Sequence, residues 1–251
     1  MDGRKYFTLS FDDGVVQDKR LIEVLKQYDM PCTFNLSSGL FGDHSFTAHI
    51  GEIGFMDLKE ENRIRRKLFK TVEHNRIPLD EAVQVYAGYE IASHDFTHVP
   101  VTGRKADEIR ESTLRDREEL SRIFGQPITG YAYPGGISSR TGADVLRENG
   151  FLFGRGAFSS GSFQWPENPY EYKPTCSHKD KKIFELLDAF DAARPEEDDL
   201  LFMVWGHAYE FDYGTENTSL DHFKRIMDKV KGMQGLTFCT NSEAFGSHAN
   251  R

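Results

Sequence analysis

Short apolar stretches of strand length alternate with amphipathic helical stretches along nearly the whole chain, and this alternation limits the fold more than any other feature. Lys5 to Ser10 has strand character, and Asp18 to Tyr28 follows as a helix with Leu21, Ile22, Leu25 and Tyr28 on one face. Cys32 to Leu36, Glu90 to Ser93, Gly130 to Tyr133, Phe151 to Arg155, Leu200 to Trp205 and Leu236 to Cys239 are the further strands, with a short one near Tyr170 to Lys173. Helices are expected at Leu58 to Asn75, Leu79 to Val85, Lys105 to Phe124, Thr141 to Asn149, Lys181 to Ala192 and Ser219 to Val230. Pro78 suits a helix start, and Gly125 and Gly150 sit where helix ends need a left-handed residue. Strands joined through helices run parallel, so about seven of them predict a closed α/β sheet. At 251 residues without internal repeat or linker, the chain reads as one domain, 1–251, large enough for a sizeable core.

In such a barrel the C-terminal strand ends converge on one rim, where segments remote in sequence become neighbours. Asp12 and Asp13 follow the first strand, His94 and His98 the third, Tyr133-Pro134-Gly135-Gly136 the fourth, and His207 the strand ending at Trp205. Each has an ordinary reading on its own: turn-forming acids, two incidental histidines, a histidine holding a backbone carbonyl. Together they match the needs of a metal hydrolase. Two histidines and one carboxylate leave open positions on a cation, a second carboxylate is free to take a proton, and a separate histidine can return one. Pro100, two residues after His98, favours a loop or first turn for the histidine pair.

Composition narrows the partners. Thirty-one basic against forty acidic residues, a net charge of −9, include no basic run able to track a phosphate backbone, which argues against nucleic acid. The three cysteines, Cys32, Cys176 and Cys239, are far apart and form no C-x-x-C motif, so they read as core thiols. No apolar run approaches the ~20 residues of a membrane helix. Met1 leads into the first strand with no signal-type segment, so the sequence as it stands suggests a cytoplasmic protein, or an exported one if a leader has been removed.

Ser10-Phe11-Asp12-Asp13-Gly14 resembles the T-F-D-D-G motif of the polysaccharide deacetylase family, the NodB-homology or carbohydrate esterase family 4 domain. His94-Asp95-Phe96-Thr97-His98 is similar to its H-[ST]-x-x-H motif, with Asp95 at the Ser/Thr position. Tyr131 to Gly136 resembles its third motif, and Trp205-Gly206-His207 its late L-x-H motif. The resemblance implies a distorted (β/α) barrel of seven or eight strands. It also implies a divalent metal, usually zinc but also cobalt, nickel or manganese, on Asp13, His94 and His98, with Asp12 as base and His207 as acid. The Tyr133-Pro134-Gly135 turn would provide an oxyanion donor, and the expected reaction is removal of an N-acetyl group from an acetylated amino sugar or polysaccharide. Alternatives are a C–N hydrolase of a small cyclic amide or ureide, since allantoinase-like relatives share the third-motif style, and a glycan-binding barrel without turnover.

The chain departs from the family at Ala132, where many members carry an arginine that tunes the base. Arg155, at the next strand end, either supplies that cation or forms a structural ion pair. No family-type aspartate is evident to orient His207, for which Glu210 and Asp212 are nearby candidates if they are not solvated loop acids. His178 either touches substrate or is exposed. Trp205, Tyr133, Tyr209, Phe163 and Trp165 fall in expected rim segments, where aromatic faces stack on sugars. The stretch from Phe41 to Arg76 shapes the groove, and its His44, His49 and His74 read as non-ligands. Oligomeric state is not legible.

Overall fold

The computed structural model describes residues 3–50, 54–58, 70–195 and 198–249. Its strands are β1 (Lys5–Asp12), β2 (Thr33–Leu36), β3 (Phe46–Ile50), β4 (Gly54–Leu58), β5 (Lys70–Glu73), β6 (Glu90–Ser93), β7 (Gly130–Ala132), β8 (Phe153–Arg155), β9 (Cys176–Ser177), β10 (Leu200–His207) and β11 (Leu236–Phe238). The helices of at least seven residues are α1 (Asp18–Gln27), α2 (Leu79–Val85), α3 (Ala106–Phe124), α4 (Arg140–Glu148), α5 (Ile183–Ala192), α6 (Leu220–Lys231) and α7 (Asn241–Ala249). Eight strands form the main sheet in the order β8-β7-β6-β2-β1-β10-β9, with β11 beside the first half of β1. Every pairing in it is parallel. The sheet curls into a distorted (β/α) barrel, as the alternation predicts. Closure is partial: Tyr172 bridges Arg155 beside β8, but among the described residues no strand pairing joins that edge to β9.

All eight residues of β1 are buried, as expected of a central parallel strand covered on both faces. The period of two sorts them. Phe7, Leu9 and Phe11 join the large core that includes Leu21 and Leu25 of α1 and Phe223 and Ile226 of α6. Tyr6, on the opposite face, joins Leu201, Met203 and Phe153. Ala244 and Phe245 of α7 fill that second cluster. Helix α7 has no sequence expectation, because Asn241-Ser242-Glu243-Ala244-Phe245-Gly246-Ser247 lacks an apolar period. The side of β1 that carries Tyr6 also carries Thr8, Ser10 and Asp12, so the strand becomes polar toward its C-terminal end.

The expectation of a helix from Leu58 to Asn75 is corrected at its two ends, where the structure has strands. Leu58 ends β4, and Lys70–Glu73 is β5; the two flank β3 in a separate three-stranded antiparallel sheet. Residues 59–69 lie outside the described residues. The stretch near Tyr170, expected as a strand, is a short helical turn, Pro169–Glu171, and the strand beside β10 is instead β9, Cys176–Ser177. Phe163 and Trp165 do not reach the rim. Phe163 packs on Phe190 and Trp165 stacks on His248, because Gln164 bridges the start of β10 rather than its end. All three cysteines are buried and free, and no described helix is long and apolar enough to cross a membrane.

Asp18, at the start of α1, is fully buried and accepts a 2.7 Å hydrogen bond from Tyr86. Burial pushes its carboxyl up to about 8 from a reference of 3.8, and the Tyr86 bond offsets only part of this. The folded chain then keeps a proton that the unfolded chain loses, so stability falls as pH rises through that window. Asp18→Asn retains an acceptor for Tyr86 and cannot ionise. It is expected to flatten the decline by up to about 1.4 kcal/mol per pH unit, measured by denaturant unfolding between about pH 5 and pH 8.

Candidate metal centre

The register of β1 against β10 sets Asp12 opposite His207 and Phe11 opposite Gly206. On the other side β2 sets Asn35 opposite Asp12. A side chain on Gly206 would meet the His178 ring at 2.0 Å, so glycine is required where that ring crosses the strand. Asp13 follows β1 with φ 81° and Gly14 with φ 66°. This left-handed pair turns the chain sharply out of the barrel. Asp95 (φ 60°) and His98 (φ 57°) are equally unusual for non-glycine residues, so strained backbone gathers at this rim.

Asp95 explains how the histidine loop is held. Its buried carboxylate accepts from the backbone N–H of Val99 at 3.2 Å and of Thr97 at 3.4 Å, and from Arg104 at 3.1 Å. The loop brings the His94 and His98 rings to a centroid separation of 4.7 Å. His94 Nδ1 lies 2.8 Å from the Ala132 carbonyl, which can only accept, so Nδ1 carries the proton and Nε2 presents a lone pair. Burial pushes the His94 pKa down to about 4, so the ring is neutral at pH 7, the state a cation requires.

Asp13 Oδ1 lies 3.4 Å from His98 Nε2 and 3.8 Å from His94 Nε2, and the three ligand atoms fall within 4.8 Å of one another. That oxygen is buried and accepts no hydrogen bond, although Arg76 Nη1 lies 3.2 Å from it as an ion-pair partner. Burial opposes the charge on Asp13, but Arg76, His74 and His98 outweigh it and hold the carboxyl well below its ordinary range. An ionised oxygen beside two imidazole nitrogens fits a divalent metal of the kind bound by mixed nitrogen and oxygen donors.

Asp12 is buried and anchored through Oδ1, which accepts from Arg155 Nη2 and, at 2.8 Å, from Asn35 Nδ2. Arg155 is fully buried, and its guanidinium also lies 5.7 Å from the Trp205 ring centre. The cation that sequence comparison misses at Ala132 therefore reaches Asp12 from the end of β8. Asp12 Oδ2 lies 4.0 Å from His207 Nε2.

Glu210 supports His207 from the turn that follows β10. It is buried, accepts from His178 Nε2 at 2.8 Å and from Lys179 Nζ, and lies 3.4 Å from His207 Nδ1. Burial works against an imidazolium at His207, but Glu210, Asp13 and Asp12 outweigh it and raise the pKa above the ordinary histidine value. The options for His178, substrate contact or exposure, are both corrected: it is wholly buried beneath Glu210. Asp212 belongs elsewhere, binding Arg20 and Gln17.

In the third-motif turn the Tyr133 N–H donates to the Arg155 carbonyl and the Gly136 N–H to the Tyr133 carbonyl, while Pro134 has none. Only the Gly135 N–H is left without a described partner. Asp12, Asp13, His94, His98, Tyr133, Gly135, Gly136, Ala157, Trp205 and His207 enclose a cavity of about 160 Å³. Two neighbours had no motif support: Asn35, and His74, whose Nε2 lies 2.9 Å from Asp13 Oδ2. His44 is exposed, and the His49 side chain lies outside the described residues.

The fold and site define a metal-dependent hydrolase centre on the C-terminal rim of a parallel barrel. The model of the polysaccharide deacetylase family matches residues 2–154, more than half of the chain, and the chain belongs to that family. No curated protein matches it. Solved structures share the fold at low identity. The carbohydrate esterase family 4 domain of a multidomain xylanase from the hindgut metagenome of Trinervitermes trinervoides has 17% identity and a TM-score of 0.53, over 98% of this chain and 92% of that one. A family 4 acetyl xylan esterase from Clostridium thermocellum, solved with a cobalt ion, has 17% identity and a TM-score of 0.54, over 96% and 91%. A family 4 pseudoenzyme from Bacillus anthracis has 15% identity and a TM-score of 0.54, over 98% and 66%. One fold thus carries both esterases and a pseudoenzyme, and turnover depends on the residues present.

Arg155→Met would leave the Asp12 charge buried without its cation. A loss of about 3–5 kcal/mol is expected on chemical denaturation, and adding Asp12→Asn should restore most of it, because the uncompensated charge rather than lost packing carries the cost.

Proposed function

We propose that the protein hydrolyses the N-acetyl group of an amino sugar within a glycan, using zinc held by Asp13, His94 and His98. The observation that carries this reading is a base, an acid and a metal-ligand triad around one small cavity, each charged group held by its own buried partner. A pseudoenzyme has no use for Asp12 and His207 beside an intact triad.

When bound, the metal would polarise the acyl oxygen and acidify water. Asp12 takes the proton from the attacking water through Oδ2, since Arg155 and Asn35 occupy Oδ1 and fix the carboxylate plane. The Gly135 N–H is the donor suited to the developing oxyanion; losing such a donor typically costs about 3–4 kcal/mol. His207 returns a proton to the leaving amine, which is a poor leaving group until protonated, and Glu210 holds the ring and favours its charged form. Tyr133 and Trp205 wall the acyl end.

The cavity volume of about 160 Å³ suits an acyl group with part of a ring, and it suits a small cyclic amide as well. The acetyl xylan esterase among the fold relatives makes ester-linked acetate a third substrate to compare. The deciding experiment supplies the full chain with Zn²⁺ and measures acetate release from N-acetylglucosamine oligomers and acetylated xylan, beside ring opening of small cyclic amides. Acetate from the amino-sugar oligomers is expected, with kcat lowered about 10²–10⁴-fold in Asp12→Asn. Equal rates in the Asp12→Asn variant would remove Asp12 as base, and ring opening without acetate release would favour the cyclic-amide reading. In a separate measurement, the doubly substituted His94→Ala/His98→Ala chain should retain no stoichiometric metal by elemental analysis.

A further inference from the structure

The antiparallel sheet inserted between β2 and α2 does more than border the groove. Its last strand, β5, runs into the loop that follows β1, and the two are bonded in sequence. Val16 N–H donates to Asn75 O at 2.8 Å, Ile77 N–H to Gly14 O at 2.8 Å, and Gln17 Nε2 to Glu73 O at 2.8 Å. This docking delivers His74, itself buried, behind Asp13, with Nε2 2.9 Å from Oδ2. Because Asp13 is an ionised carboxylate and can only accept, His74 Nε2 carries the proton and donates it. Ser45 Oγ engages the other ring nitrogen at 3.1 Å, and the ring packs edge-on against Tyr209 at 4.7 Å, so its plane is fixed from three directions. Arg76, two residues on, donates to the Asp13 carbonyl and lies 3.2 Å from Oδ1 through the same Nη1.

We propose that His74 is a positioning residue of the metal centre, donating from the segment just after β5 to Asp13 Oδ2 so that Oδ1 rather than Oδ2 is directed at the cation between His94 and His98. The carboxylate then binds through one oxygen in a fixed orientation rather than swinging or chelating through both. The inserted sheet thereby becomes part of the metal site. This rests on the reading of Asp13 as a metal ligand.

The test titrates the metal-free full chain with Co²⁺ by calorimetry and by the ligand-field absorption of the bound ion, in the parent and in His74→Ala, His74→Phe and His74→Gln. His44→Ala, an exposed histidine ahead of the same sheet, serves as control. Loss of the donor is expected to raise the Kd for Co²⁺ about 10–100-fold and to shift the absorption bands, as removal of hydrogen bonds to metal ligands typically does. His74→Gln, which can still donate, should recover most of the affinity, and His44→Ala should match the parent. The phenylalanine variant keeps a ring against Tyr209 and decides the matter if the alanine variant does not fold. Binding within twofold of the parent and unchanged bands in a folded variant lacking the donor would overturn the role of His74 while leaving the metal centre standing. A parent chain that takes up no Co²⁺ would overturn the metal centre, and the role of His74 with it.

Discussion

Two adjacent carboxylates, Asp12 and Asp13, are buried at the end of the central strand, and much of the surrounding structure answers the cost of placing them there. A buried anion without a partner is expensive, and two side by side repel each other as well. The compensation is divided. Asp12 is held by Arg155 from β8 and Asn35 from β2; Asp13 is held by His74 and Arg76 from the segment that follows β5. Each carboxylate also keeps one oxygen beside the histidines of the site. Asp13 Oδ1 makes no hydrogen bond, and Asp12 Oδ2 approaches His207. The remaining capacity for chemistry is what the compensating groups leave over.

His207 is supported on the same logic with opposite sign. Glu210 is a buried anion offset by His178 and Lys179, and what is left of its field falls on the His207 ring. His178 can cross the strand only because position 206 is glycine. Tyr209 lies between the His74 and His207 rings, at 4.7 and 4.8 Å, so the supports of the metal side and of the acid side pack on one another. Strained backbone at Asp13, Asp95 and His98 belongs to the same economy of space: Asp13 and His98, in the left-handed region, line one cavity, and the left-handed Asp95 spends its carboxylate on hydrogen bonds that hold the histidine loop in place.

Much of this was legible in the chain. Strand and helix periods recovered the order of the main sheet's elements to within a residue or two at most boundaries, because those segments bury one face each and carry the pattern plainly. The failures have physical causes. Leu58 and Lys70 to Glu73 belong to a stretch dense in charge, a composition helices favour, whereas backbone pairing with β3 makes them strand. Helix α7 escaped because it buries a short stretch around Ala244 and Phe245 rather than a stripe. The placement of Phe163 and Trp165 away from the rim is not legible in the chain, because an irregular loop carries no period that tells which end of the barrel it runs to.

What the sequence by itself determined is the set of groups carried at the C-terminal ends of separate strands: Asp12 and Asp13, His94 and His98, and His207. Those follow from local pattern, since parallel strands joined by helices send their C-terminal ends to one rim. Only the tertiary structure decided which buried partner each group received. Arg155 standing in for the cation absent at Ala132, Glu210 reinforced by His178 and Lys179, and His74 behind Asp13 are contacts between segments 143, 32 and 61 residues apart. No spacing rule encodes them, because charge compensation depends on distance in space, and that distance is set by strand register and by how the inserted sheet docks on the loop after β1.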